Sequence, residues 1–119
     1  MTTFKVADQF SRYPGGRYKA DGPGSGEAFR DDFLIPELTR ARAADTVLVV
    51  DLDGVAGLPT SFLEEAFGGL LRHTAWTLAN IKDSLKLKAE DPDLWPYIEL
   101  ADTFMDAEAR RRAEDLRRA

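Results

Sequence analysis

The stretch TVLVVDLDGVAGLPTSFLEEAFGGLLR, residues 46–72, decides the fold. It opens with an uninterrupted run of β-branched and aliphatic residues, which is typical of a strand buried on both faces of a sheet. A turn with two aspartates and a glycine follows, and then Pro59 precedes apolar residues at helical spacing. Thr60 or Ser61 is placed to cap this helix, and the sequence from Ser61 to Glu64 has the form of a capping box. The stretch therefore predicts a strand–loop–helix unit, whose loop is where an α/β sheet usually carries its function.

Three shorter segments complete the predicted sheet. Residues 4–7 alternate apolar and polar side chains, which indicates an edge strand, and residues 17–20 are expected to pair with them in a hairpin. Residues 85–89, Leu-Lys-Leu-Lys-Ala, alternate in the same way and predict an exposed edge strand, which its lysines protect from edge pairing. With helices between the strands, the sequence predicts an α/β fold in which crossover helices pack against a mixed sheet of about four strands.

Helix signals organise the rest of the chain. Ser25 is the expected N-cap of a first long helix, which Pro36 should kink or split. Asp91 is the expected N-cap of the last helix, because a proline follows it where proline suits a helix start. Apolar residues recur at helical spacing through most of this helix, and its end is mostly charged. We therefore divide the chain into an α/β domain, residues 1–105, and a charged helical tail, residues 106–119, whose arginines either stay solvated or contact a partner or a nucleic acid.

Composition limits the classes of function. The 119 residues suffice for one core and are too few for two ordinary domains. There is no cysteine, which excludes disulfides and zinc–thiolate sites, and the one histidine, His73, cannot build a histidine-rich metal site. The net charge of -5 disfavours nonspecific nucleic-acid binding. No apolar run approaches the roughly 20 residues of a membrane span, and the N-terminus lacks the pattern of a signal peptide, so we expect a cytoplasmic protein without membrane association.

A pair of carboxylates ends the central strand. Residues 49–55, Val-Val-Asp-Leu-Asp-Gly-Val, resemble the opening motif of haloacid-dehalogenase-type phosphatases. The resemblance implies that Asp51 attacks phosphorus and that Asp53 acts as general acid/base near a Mg²⁺ ion. The remaining length holds no complete set of the later motifs of that family. A strand that ends in Asp-x-Asp-Gly also makes an Asx-type turn, which is the structural alternative. A Mg²⁺-dependent phosphohydrolase is therefore the alternative function.

A second resemblance covers far more of the chain. Residues 47–55 and 58–70 are similar to the central strand–helix unit of STAS domains, the fold of anti-sigma-factor antagonists. The chain looks closer still to a STAS-like domain family of unknown function. That family shows a Gly-Arg segment, a Ser-Gly-Glu-x-Phe-Arg helix start, an Asp-x-x-Gly-Val turn and Ser-Phe-Leu-x-Glu at the next helix. These motifs stand here at residues 16–17, 25–30, 51–55 and 61–65. The resemblance implies a STAS-like domain with no cofactor, no metal and no catalytic residue.

The resemblance also implies how the domain works. In the antagonists a partner kinase phosphorylates a serine that aligns with Thr60, and Ser61 aligns with the next serine. Pro59 stands here where the antagonists carry an aspartate, and Phe62 replaces a small glycine. Thr60 and Ser61 have the alternative role of helix caps. The chain is thus expected to be a non-catalytic regulatory module that binds a protein partner, either a kinase-like ATPase or another regulator, and a homodimer is left open.

The predicted sites are a charged cluster, an interaction surface and, as a third possible function, a ligand site. Arg17, Glu27 and Arg30 are expected to form a charged cluster near the face that carries the strand–helix loop. A third possibility is a small-ligand or nucleotide site under the glycine-rich loop, residues 15–26, with Arg17 and Arg30 as anion contacts. The interaction surface and its phosphosite are expected where the strand gives way to the helix, at Asp51, Asp53, Thr60, Ser61 and Phe62.

Overall fold

The computed structural model describes residues 1–118. Two π-helical turns, Arg30–Leu34 and Glu64–Gly68, each join two α-helices, and 3₁₀ turns span Lys19–Asp21 and Pro92–Leu94. The strands are β1 (Thr2–Lys5), β2 (Leu48–Asp51) and β3 (Leu85–Lys88). The α-helices are α1 (Val6–Gln9), α2 (Gly26–Phe29), α3 (Ile35–Ala43), α4 (Thr60–Leu63), α5 (Gly69–His73), α6 (Leu78–Ser84) and α7 (Trp95–Arg118).

The three strands form one parallel sheet in the order β1-β2-β3. The α/β fold and the strands near residues 4–7, 46–50 and 85–89 are confirmed, whereas the expectation of a mixed sheet of four strands is wrong. Residues 17–20 do not pair as a strand. Instead, Lys19–Asp21 forms a 3₁₀ turn, and the Asp21 carboxylate accepts the Tyr18 N–H (2.9 Å). A short polar side chain can thus bond a nearby backbone N–H that would otherwise pair with a neighbouring strand.

Helices cover one face of the sheet. Leu48 and Val50 of β2 point into the core, and the register places Phe4 and Leu87 beside Val50 on the same face. Val49 is buried but lies outside that core, on the opposite face. Its Cα partners are Thr3 and Lys86, which are both exposed. The expectation that the central strand is covered on both faces therefore holds for burial but not for helix packing.

The predicted helix caps are confirmed at two positions and wrong at the third. Ser25 Oγ accepts the Ala28 N–H (3.1 Å), and an Asp91 carboxylate oxygen accepts the N–H two residues later (2.9 Å). The helix after the central loop begins at Thr60 itself, with Pro59 at the N-cap and no side-chain cap. No capping box forms there, because the expected partner carboxylate is held elsewhere by arginines.

The expected break in the first long helix falls at Pro36. This residue lies in the first turn of α3, directly after a π turn.

The last helix carries the predicted tail. The predicted tail, residues 106–119, continues α7 as far as Arg118, and Ala119 lies outside the described residues. Among the helices of residues 1–118, none is both long and apolar enough to cross a membrane.

Candidate functional site

The loop that leaves β2 is closed by its own aspartates. Asp51 Oδ1 accepts the Asp53 N–H (2.9 Å), which is an Asx turn, and Gly54 then adopts a φ of 95° that favours glycine. The Asp53 carboxylate accepts two further N–H groups, from Glu90 (2.8 Å) and Asp91 (3.1 Å). The Glu90 and Asp91 bonds lower the pKa of Asp53, because they stabilise its charged form. Asp53 thus ties the carboxyl end of β2 to the segment after β3.

These contacts bear on the chemistry expected of the aspartates. Asp51 and Asp53 lie at the carboxyl edge of the parallel sheet, where α/β proteins bind ligands. Each carboxylate accepts backbone N–H groups, so each has a structural role in the turn. In the described part of the chain, no three histidine, aspartate or glutamate side chains are grouped so that they could hold a metal ion.

A shallow groove of about 430 Å³ opens beside this loop. Tyr13 is 77% exposed at its rim, and the Ala56 N–H donates to the Arg12 carbonyl (2.8 Å), which joins the loop to the N-terminal segment. A Cβ added at Gly57 would lie 3.5 Å from the Tyr97 hydroxyl oxygen. The groove is therefore lined by tyrosines, prolines and small residues: Tyr13, Pro14, Ala56, Gly57, Leu58, Pro59 and Tyr97.

The three residues that open the helix differ in exposure. Thr60 is exposed, next to the groove, and Ser61 is partly buried. Phe62 is only 1% exposed, and its ring packs 5.7 Å from Phe29 and 6.2 Å from Phe10, measured between ring centroids. Thr60 and Ser61 can therefore be reached by a partner, whereas Phe62 anchors the helix start from inside the core.

Two arginines of the predicted charged cluster, Arg17 and Arg30, pair with glutamates outside it. Arg17 Nη1 lies 2.6 Å from Glu64 Oε1 and 3.4 Å from Glu65 Oε1. Arg30 Nη1 lies 2.5 Å from Glu65 Oε2, and the side chains of this pair are 3% and 6% exposed. Glu27 does not join them, because its carboxylate accepts a backbone N–H elsewhere, from Lys19 (2.8 Å). The arginines expected to contact a ligand anion are thus paired with the chain's own carboxylates.

Arg72 completes this cluster from the next helix turn. Its Nη1 donates to Glu64 Oε2 (2.6 Å) and lies 3.6 Å from Glu108 of α7. The Arg72 hydrogen bond, followed by that of Arg17, lowers the pKa of Glu64 against the opposing effect of burial. The same pairing raises the pKa of Arg72 and of Arg17. We call Arg17, Arg30, Glu64, Glu65 and Arg72 the Arg–Glu cluster.

Two glycines let the helices that carry the cluster approach each other. A Cβ at Gly26 would lie 2.5 Å from the Phe62 carbonyl oxygen, and one at Gly69 would lie 2.5 Å from Arg30 Nη1. Sequence reasoning missed Glu65 as a member of the cluster. The signal was present, because Glu65 lies three residues after the apolar Phe62, and a charge on an apolar helix face needs a buried partner.

Comparison with known families identifies the fold. The family model for the STAS-like domain of unknown function (DUF4325) matches residues 25–95, more than half of the chain. The chain therefore belongs to this family, which confirms the resemblance given above. No curated protein and no solved structure matches the chain. The matched range begins at the N-cap Ser25 and includes the strand–loop–helix unit and four of the five residues of the Arg–Glu cluster.

Proposed function

We propose that this chain is a non-catalytic regulatory module that binds a protein partner through the loop of residues 54–62, and that phosphate on Thr60 or Ser61 weakens that binding. One observation carries the proposal: Thr60 is exposed at a helix start beside a groove lined by tyrosines and prolines. Clefts at the carboxyl edge of a parallel sheet are the usual binding places of α/β proteins.

The helix start is suited to accept a phosphate. No side chain caps its free N–H groups, and the positive end of the helix dipole favours a negative charge there. A phosphate on Thr60 adds about −1.5 to −2 charge and three strong acceptors. A partner that docks its own surface on this loop would lose complementarity, while the helix itself would tolerate the modification. The switch would therefore act on binding and not on folding.

A kinase-like ATPase is the partner class that the STAS resemblance implies. In this proposal it is a separate protein that phosphorylates the loop it binds. Membership of a STAS-like family supports the proposal, and so does the accessibility of Thr60 and Ser61.

The test is a native pull-down from the source cells with mass spectrometry of bait and prey. We compare the wild type with Thr60→Ala/Ser61→Ala and Thr60→Glu/Ser61→Glu. Thr103→Glu is the matched control, because Thr103 is an exposed helical threonine on α7. We expect a stoichiometric kinase-like chain with the wild type and the control, and its loss with the double glutamate variant. Equal recovery with all variants would refute the switch.

The phosphohydrolase alternative has its own test. If Asp51 attacks phosphorus, the chain hydrolyses an activated phosphate ester such as p-nitrophenyl phosphate in Mg²⁺, and Asp51→Asn abolishes turnover. If the wild-type chain at micromolar concentration hydrolyses no such ester, the phosphohydrolase hypothesis is refuted and the binding module remains.

A further inference from the structure

The outer edge of β3 has no strand beside it among residues 1–118. The Lys88 carbonyl accepts the Leu52 N–H (2.9 Å), so the backbone groups of Lys88 face the central strand. Because these groups alternate in direction along a strand, the N–H and C=O of Leu87 face away from the sheet. β3 therefore presents a donor and an acceptor to solvent, in a position to pair with an added strand.

The helix side of this edge is a groove of about 310 Å³, and its lining is mixed: apolar at Ile81, Leu85, Leu87, Ile98 and Met105, and charged at Lys82, Lys86 and Asp102. Leu85 and Leu87 of β3 line it on one side, and Ile98 and Met105 of α7 line it on the other. Asp102 lies half-buried in the same groove, where burial raises the pKa of its carboxyl. Side chains that an added strand pointed toward the helices would enter this groove and should be apolar.

The opposite side of the edge is basic. Lys86 and Lys88 are exposed, and the period of the strand places them, with Lys5, on the face opposite Leu85 and Leu87. Asp51 lies between Lys5 and Lys88 on this face, and Lys86 also lines part of the groove. Lys86 makes no ion pair with any residue of the described chain. Within a chain of net charge -5, this is a local positive surface. Side chains that an added strand pointed toward it should be acidic.

We propose that β3 binds an extended segment of a partner protein as a fourth strand, and that this segment alternates apolar and acidic residues. The alternation follows from the period of a strand: residues beside Leu85 and Leu87 enter the groove, and those beside Lys86 and Lys88 meet lysines. A second copy of this chain does not fit, because its own β3 would place lysines against lysines. This surface is separate from the loop of residues 54–62, so the inference is independent of the function proposed above.

The test uses the full chain and the acetylated, amidated peptide Glu-Val-Glu-Val-Glu-Val-Glu, followed by ¹H–¹⁵N NMR. We expect saturable shifts of the Lys86, Leu87 and Lys88 amides. Lys86→Glu should weaken binding about tenfold, because attraction becomes repulsion. Lys19→Glu is the matched control, since Lys19 is an exposed lysine on a surface turn, and it should leave the affinity unchanged.

Backbone pairing is tested on the peptide, where folding of the protein cannot interfere. One peptide is N-methylated on its valines and another on its glutamates. Pairing uses the N–H groups of alternate residues, so one of the two should lose binding while the other keeps it. The proposal is overturned if the β3 amides show no saturable shift, if both methylated peptides bind like the parent, or if a scrambled peptide of equal composition binds equally well.

Discussion

Arg30 Nη1 lies 2.5 Å from the Glu65 carboxylate and 2.9 Å from the Glu65 carbonyl oxygen, so one guanidinium nitrogen holds both the side chain and the main chain of the same residue. Both residues are buried, and each belongs to a π-helical turn. The pair therefore fastens the helical run of residues 26–43 to that of residues 60–73, which carries the proposed interaction loop at its start.

Breaking this pair on one side should be costly. We expect Arg30→Met to lower the free energy of unfolding by about 3–5 kcal/mol, because it leaves the Glu65 carboxylate buried with fewer partners. The double variant Arg30→Met/Glu65→Leu should recover most of that loss. Urea denaturation followed by circular dichroism measures both. Arg40→Ala is the control, since it removes the exposed i,i+3 pair with Glu37 and should cost less than about 1 kcal/mol.

Gly26→Ala should destabilise the protein, although alanine usually favours a helix over glycine by about 1 kcal/mol. The new Cβ would lie 2.5 Å from the Phe62 carbonyl oxygen and 3.1 Å from the Glu65 Cβ, so the two helical runs must move apart. We expect a loss of about 1–3 kcal/mol in thermal or urea unfolding. At Gly15 an added Cβ meets no atom within 4 Å, so Gly15→Ala should change the stability little. Equal effects of the two substitutions would contradict the packing described.

The Arg–Glu cluster should make stability depend on acid pH. The pKa of Glu64 is lower in the folded chain than in the unfolded chain, where a glutamate titrates at about 4.3. Its contribution is therefore complete above that pH and is lost as the pH falls through the folded-state pKa. Glu64→Gln should lose roughly 1 kcal/mol at pH 7, and the difference from wild type should shrink on acidification. Urea titrations between pH 7 and 3 test this, and a constant difference would disprove it.

The pH dependence of stability that Asp102 causes should have the opposite sign to that of Glu64. Burial raises its pKa, although Lys82 opposes the shift, so the folded state favours the protonated form. The penalty for its charge is complete above the folded-state pKa and disappears below the unfolded value of about 3.9. Asp102→Asn should therefore raise the free energy of unfolding at pH 7, by about 0.5 kcal/mol or less. A lower stability of this variant at pH 7 would contradict the expected sign.

The sequence predicted those parts of the fold that depend on local signals. The apolar run of β2, the N-caps Ser25 and Asp91, and the alternation of β3 each lie within a few residues of one another, and each was found. The expected strand at residues 17–20 failed, because Asp21 closes a turn that a count of alternating residues does not detect. The hairpin would have added an antiparallel strand; without it, the three strands of residues 1–118 all run parallel.

The site was less accessible to prediction, because its contacts join distant parts of the chain. The sequence predicts a charged group of Arg17, Glu27 and Arg30, but the glutamates that pair with the two arginines follow more than thirty residues later. The local sequence instead predicts that Glu64 completes a capping box. Two arginines compete for its carboxylate, and this pairing decides its position. In the sequence, only the position of Glu65 on an apolar helix face indicates that this carboxylate needs a partner, and it does not indicate which residue the partner is.

The parallel order of the strands has a consequence for how the chain folds as it is synthesised. Thr2 pairs with Leu48, and Leu48 pairs with Leu85, so no two neighbouring strands are close in sequence. β1 leaves the ribosome long before a partner exists, and β2 waits with one open edge until β3 has emerged. Non-local ladders of this kind form slowly, after the helices between them. The most apolar strand of the nascent chain is thus the one that stays half-paired, and it is where we expect misfolding to begin.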